Sequence, residues 1–361
     1  MSTGHRTITG ECRLDTLTHA ISGALLARAT APEHRVNTLS LRERTVVGFL
    51  AGAAPDADIV VRLWGQVAYL EHHRAETHSL LLLPAWAWVL AIGFALVGGR
   101  RHSWKAYYGV CALALGIHIV GDLITSFGTQ ILAPLSDWTP GLNTTFIIDP
   151  WFSAILILGL LLSLAWRPRL SASLALVAIS AVVLLQYTQY RAALTVGIAY
   201  AEQRDMTVER IEAYPQPLSW FNWKVIISEP ERHTLARFNL LRDEAPADPS
   251  PEAGFLRRLH AAYPPVGEAE WQSYRRFGDG EEDAAARTVW AKDGMQFYRR
   301  FADAPALYAI ETVDGERCVW FRDLRFQIPG LRTPFTYGMC RGGVDDWQRY
   351  RRASDGRERL R

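Results

Sequence analysis

The chain has 361 residues, of which 49% are hydrophobic and 21% charged, with a formal net charge of +2. So even a balance argues against a nucleic-acid binder, since phosphate contacts need a clear basic excess. The four cysteines are too few for a disulfide scaffold and form no CxxC knuckle.

The averages hide a break near residue 190. Residues 1–190 hold 13 basic and 11 acidic side chains, whereas residues 191–361 hold 26 of each. A half this poor in charge, with long apolar runs, is a membrane domain rather than an ordinary soluble one. The expected fold is therefore a polytopic α-helical membrane domain over residues 1–190. A charged, strand-rich α+β domain over 191–361 follows it.

In chain order, two short apolar segments come first, 14–29 and 45–55, separated by the basic linker 34–44. They suit a partly inserted hairpin. Segment 14–29 is too weakly apolar for a cleavable signal peptide. Residues 79–99 run for 21 positions without a charge, enough to cross a hydrocarbon core of roughly 30 Å. Further spans are expected at 106–127, 151–166 and 171–190. Positively charged short loops stay cytoplasmic. That rule places 34–44, 100–105 and 167–169 inside and residues 191–361 outside. Beyond 190 the period changes. ERIEAYPQP, WKVIISEP, HTLARFNLL, ALYAIETVDG, RCVWFRDLRFQI and FTYGMC read as short strands. Residues 243–253 read as an exposed loop, 254–305 as more helical, and 349–361 as an arginine-rich tail.

Eight of the ten histidines precede residue 119, several beside carboxylates at the ends of apolar segments. Ionisable groups there are costly and mark function. His118 and Asp122 are four apart, on one helix face. Asp56 and Asp58 flank one residue after Pro55, where an extended or turning backbone can aim both carboxylates at a common point. His73 and His78 bracket the start of the first long span. With the basic loops inside, these groups and His19 all fall at the outer face. That convergence, more than any one spacing, points to a metal site. Nitrogen and oxygen donors without thiolates suit Zn, Mn, Fe or Mg. The expected ligands are His19, Asp56, Asp58, His73, His78, His118 and Asp122, enough for two or three ions. Asp149 is a weaker candidate for orienting a ligand histidine. Asp15 is singled out beside His19, with an N-cap as its plainer reading. Glu76 is a candidate general base if its loop turns it inward, and Arg74 and Thr77 are candidates for binding an anionic group. His5, His34, His102, His233 and His260 are assigned no site.

The series LDTLTHAISGALLARA, AGAAPDADIV, HRAETHS, HIVGDLITSFGTQILAPLSDW and FIIDP resembles the YdjM-type family of bacterial membrane-bound metal-dependent hydrolases, over residues 14–155. Where that family has a glycine after the His-Arg pair, this chain has Ala75. The resemblance implies a metal-dependent hydrolase of the inner membrane and names no substrate.

The reading is hydrolysis by metal-activated water, zinc being the favoured ion, on a phosphoester or lipid headgroup. Membrane lipids and a small-molecule or lipid substrate are the expected partners, with no nucleic acid. A metal transporter or sensor, and a structural anchor for the C-terminal domain, are the rival readings. Cys318 and Cys340 fall in two strand-like segments separated by a turn. They are either bridged, as an oxidising compartment allows, or buried free thiols.

Overall fold

A computed structural model describes residues 6–33, 38–247, 250, 252–343, 346–353 and 356–360, with side chains described from residue 15. The helices of the N-terminal region are α1 (Arg6–Ala29), α2 (Leu41–Ala53), α3 (Gln66–His72), α4 (Leu83–Val97), α5 (Trp104–Leu123), α6 (Pro150–Ala165) and α7 (Pro168–Glu202). A C-terminal domain of two antiparallel sheets follows.

The chain divides into two compact units: Met1–Leu63 with His72–Gln186, and Trp64–Glu71 with Tyr187–Arg361. The division falls inside α7, whose 35 residues span about 52 Å at 1.5 Å per residue. Residues 64–71 belong by sequence to the N-terminal half. They join the second unit because Val67 and Leu70 are buried in its core.

Within the first unit, α1 and α2 pack backbone to backbone. A Cβ on Gly23 would lie 2.3 Å from the Gly48 carbonyl oxygen, and one on Gly52 would lie 2.7 Å from that of His19. Small residues at a crossing allow this approach between apolar helices. Ser40 and Glu43 form a reciprocal capping box that starts α2. Ala87, Ala91 and Ala95 put a flat face of α4 against Tyr107, Val110, Cys111 and Ala114 of α5. Ile157, Leu158, Leu161 and Leu164 of α6, with Leu174 and Val177 of α7, are exposed, as lipid-facing residues are.

Two helices, α5 and α7, are long and apolar enough to cross a membrane, and a third span results if α4 is counted with the broken helical stretch before it. The apolar run at 79–99 does not become one helix. Ser79 stands outside, its hydroxyl donating to the Ala133 carbonyl at 2.6 Å and accepting from the Leu81 amide at 3.1 Å, and α4 starts only at Leu83.

The second unit holds one sheet in the order β1-β2-β3-β4: β1 (Arg210–Pro215), β2 (Asn222–Ser228), β3 (Arg232–Asn239) and β4 (Gln272–Arg275). β2 is buried along its whole length. Trp223, Val225 and Ile227 pack with Ala193 and Ala201 of α7, while Ile226 packs with Tyr214, Leu235, Ala306 and Leu324. The segment read as helical holds α8 (Phe255–Ala261), α9 (Glu281–Ala291) and α10 (Gln296–Phe301), but also β4.

The second sheet runs β5 (Pro305–Val313), β6 (Glu316–Asp323), β7 (Tyr337–Arg341), β8 (Trp347–Ala353) and β9 (Gly356–Arg359). β8 and β9 lie where the sequence suggests an arginine-rich tail. Acidic partners on the sheet explain the difference: Arg351 pairs with Glu358 at 2.7 Å and Arg352 with Glu311 at 2.7 Å, and Arg357 pairs with Glu316. Cys318 and Cys340 stand directly opposite on β6 and β7 and are disulfide-bonded, with Cα atoms 4.0 Å apart.

His233 is buried on β3, its Nδ1 2.9 Å from the Ser228 hydroxyl and its Nε2 3.0 Å from the Pro305 carbonyl. Burial lowers its pKa from the ordinary 6.5 to about 4, against the pull of the Pro305 carbonyl. The unfolded chain therefore binds this proton at higher pH than the folded one. The stability contribution is complete above pH 6.5 and is lost as the pH falls toward 4, by about 3 kcal/mol. Unfolding of the full chain in detergent should show that loss between these limits. A His233→Gln variant should lack this component. An equal slope in both would refute the assignment.

Candidate metal centre

His19 lies midway along α1, Asp56 and Asp58 in the 3-10 helix Pro55–Trp64, His78 at the end of the 3-10 helix Glu76–His78, and His118 and Asp122 one turn apart near the end of α5. Separate segments deliver them to one place. His118 Nε2 is 2.9 Å from His78 Nε2 and 3.3 Å from Asp122 Oδ2, and His78 Nε2 is 3.0 Å from the same oxygen. Asp56 Oδ1 lies 3.8 and 3.7 Å from the two imidazole nitrogens.

The hydrogen-bond pattern limits what this arrangement can hold. His118 Nδ1 lies 2.6 Å from the Gly52 carbonyl oxygen. A carbonyl only accepts, so Nδ1 carries the hydrogen and Nε2 presents a lone pair. Asp56 Oδ2 and Asp122 Oδ2 are buried without a hydrogen bond. The His118 electron pair, His78 Nε2 and two carboxylates thus face one another with burial removing water, an arrangement that a cation lying among them would stabilise. Around a tetrahedral zinc, donors about 2.0–2.1 Å from the ion lie about 3.3 Å from each other. The observed separations of 2.9 to 3.8 Å bracket that edge. The residues fit a divalent ion.

The remaining expected residues separate into those that border this set and those outside it. His19 Nε2 lies 3.2 Å from Asp122 Oδ1 and 3.3 Å from Asp15 Oδ1. Asp15 is therefore not an N-cap: α1 begins well before it, and the carboxylate belongs to the cluster. The 3-10 turn also separates the two PDAD carboxylates. Asp58 accepts from His73 Nδ1 and the Arg74 amide, both at 3.0 Å. It orients its neighbours, the role of a carboxylate behind a metal-ligand histidine. His73 borders the cluster, its ring 6.2 Å from that of His78. The Thr77 hydroxyl is 2.9 Å from His78 Nδ1 and fixes that ring.

Glu76 corrects the sequence reading. Its side chain is 43% exposed and pairs with His72 at 3.3 Å, because the 3-10 turn that aims His78 inward aims Glu76 out. Asp149 likewise caps α6, accepting from the Trp151 and Phe152 amides at 2.9 and 3.0 Å, and accepts from Gln186 at 3.2 Å. Arg74 is buried, with its Nη2 2.8 Å from Asp122 Oδ1 and 3.0 Å from Asp15 Oδ2. Asp15, singled out beside His19 in the sequence but left off the ligand set, belongs to the cluster, and Thr125 is the contributor that sequence reasoning missed.

A bundle of apolar helices enclosing a His/Asp cluster defines a membrane-integral protein with a candidate metal centre. Residues 14–193, about half of the chain, match the family model described as YdjM inner membrane protein, and the chain belongs to that family. The match extends past the motif series at 14–155 to include α6 and most of α7. Among curated proteins, an uncharacterized protein YfhP of Bacillus subtilis (strain 168) is 29% identical over 145 residues, which is 38% of this chain and 42% of that protein. The chain thus spans less than half of this relative's length. No solved structure matches the chain.

Proposed function

We propose that this protein is a membrane-bound, metal-dependent hydrolase acting on a phosphoester or lipid headgroup at the outer face of the cytoplasmic membrane. The observation that carries this reading is the convergence of Asp56, His78, His118 and Asp122 at near-tetrahedral separations. A divalent cation held by these donors with a further coordination position open to water, zinc first among the candidates, would lower the pKa of that water and polarise the scissile group. His73, with Nδ1 tied to Asp58 and its ring 6.2 Å from that of His78, is the candidate for the proton-accepting role first assigned to Glu76. A transport pathway would string the donors along several depths, whereas here they gather in one cluster.

The surroundings support a substrate at headgroup level. The segment after α5 is tied back to that helix by the Leu142 amide on the Leu123 carbonyl at 2.7 Å and the Thr144 amide on that of Ile124 at 3.0 Å. It exposes Leu135, Trp138 and Leu142, and Trp151 follows at the start of α6. Tryptophan and leucine presented together suit the membrane interface.

By the positive-inside rule the basic loops 34–44, 100–105 and 167–169 would lie inside, with α4 and α6 as short spans beside α5 and α7 and the C-terminal domain outside. The Cys318–Cys340 bond suits an oxidising compartment. An alkaline phosphatase fusion after residue 195 is expected to be active and one after residue 102 silent. The reverse pattern would move the centre to the cytoplasmic face.

The activity test uses the full chain in proteoliposomes of phosphatidylethanolamine and phosphatidylglycerol. Headgroup release should require the protein, stop with a chelator and return with zinc. Release no greater than that of His118→Ala would end the hydrolase reading for these lipids. A His73→Gln variant should retain the metal and lose about 10²- to 10⁴-fold in rate, the range for a general base.

A further inference from the structure

We propose that the Arg74 guanidinium takes the position a second cation would occupy, so that the centre holds one divalent ion and Arg74 is a positioning residue. The inference rests on the metal-centre reading above and deepens it. Asp122 presents its two oxygens to different neighbours. Oδ2 faces His78 and His118 at 3.0 and 3.3 Å. Oδ1 faces His19 at 3.2 Å and Arg74 Nη2 at 2.8 Å. Asp15 completes the second side, with Oδ1 3.3 Å from His19 Nε2 and Oδ2 3.0 Å from Arg74 Nη2.

His19, Asp15 and Asp122 Oδ1 would be the second half of a carboxylate-bridged two-ion site. The positive charge they meet is already supplied by the chain. A divalent ion on the same oxygens would be driven against the guanidinium in a site from which water is excluded. The remaining carboxylate, Asp58, is engaged by His73 and the Arg74 amide and faces neither position.

Arg74 is held too firmly to be a mobile anion clamp. Its backbone is left-handed, at φ 59°, a conformation costly for a residue with a Cβ and kept only when its surroundings enforce it. The Arg74 amide donates to Asp58 Oδ2 at 3.0 Å, and its carbonyl accepts from the Gln130 amide at 2.8 Å. Nη1 donates to the Thr125 hydroxyl at 2.9 Å, and the guanidinium lies 5.1 Å from the centre of the Phe127 ring. These contacts fix the charge beside Asp122.

Elemental analysis of the purified full chain in detergent, loaded with zinc and then freed of excess, tests the proposal. About one zinc per wild-type chain is expected, and about none in His118→Ala. Manganese-loaded wild type should give the paramagnetic resonance spectrum of an isolated ion. Arg74→Ala, checked for a monodisperse elution profile, should take up a second zinc, whereas Arg74→Lys should stay at one. Two zinc ions in wild type, a coupled manganese pair, or a well-folded Arg74→Ala still at one would overturn the assignment of Arg74 while leaving the metal centre standing. No zinc in wild type would overturn both. Should Arg74→Ala fail to fold, the wild-type count and the manganese spectrum still decide.

Discussion

Replacing His118 with alanine is expected to empty the centre and reduce hydrolysis by more than a hundredfold. The imidazole lies within 3.7 Å of three other donors, Asp56, His78 and Asp122. Its Nδ1 hydrogen bond to Gly52 leaves no tautomeric freedom. Loss of a residue that merely orients a ligand costs about 10- to 100-fold in metal affinity or activity, so loss of a donor should exceed that. Bound metal and headgroup release should fall together. Two controls separate this from general damage. Glu76→Gln should leave both values unchanged, since that side chain is exposed and pairs with His72. Asp149→Ala should keep the metal and cost about 1 kcal/mol of stability as a lost helix cap. Full metal occupancy in His118→Ala would refute the four-donor centre.

The composition break and the apolar runs make the helical half legible, because charge depletion over twenty residues has few physical readings. Element lengths are less legible. The uncharged run 79–99 yields only the 15 residues of α4, since the Ser79 hydroxyl bonds to backbone before the helix starts. The strands with alternating apolar residues are found from sequence. β8 and β9 are not, because their arginines are ordered by Glu311, Glu316 and Glu358, and such partners leave no periodic trace.

The site shows the same division. His118 and Asp122 share a helix face by spacing alone, and the topology argument gathers the other segments without any distance. What spacing cannot give is which residue of a pair turns inward. Asp56 and Asp58 are two apart, yet one joins the donor set and the other bonds His73. Glu76 and His78 are also two apart, and a single 3-10 turn sends them in opposite directions. Arg74 in HRAETHS reads as a cation for an anionic group, yet its guanidinium is buried against Asp15 and Asp122.

In the second unit, Lys224→Met is expected to lower stability by about 3 kcal/mol without changing the metal content. Lys224 follows Trp223 on the buried strand β2, and its stem packs where an aliphatic residue would. Its Nζ donates to the carbonyls of Leu324, Arg325 and Gln327 at 2.8, 2.7 and 3.0 Å. Three acceptors around one nitrogen need three N–H donors, the full complement of an ammonium. Burial opposes this and holds the Lys224 pKa well below its ordinary range. Methionine keeps the volume and removes that desolvation cost, but takes the donor from the Arg325 and Gln327 carbonyls, at about 1–3 kcal/mol each, while the Leu324 carbonyl keeps the Gln327 amide at 3.2 Å. The second effect is the larger, because two orphaned groups outweigh one relieved charge. For a unit of this size the change amounts to a melting shift of roughly 6–12 °C. The measurement is a thermal melt of the full chain in detergent with the Cys318–Cys340 bond intact, beside zinc analysis of the same sample. An unshifted melt would mean that the turn at Leu324–Phe326 finds other donors for its carbonyls. Lost zinc would mean instead that the centre depends on the sheet domain, against the placement of every expected metal ligand in the first unit.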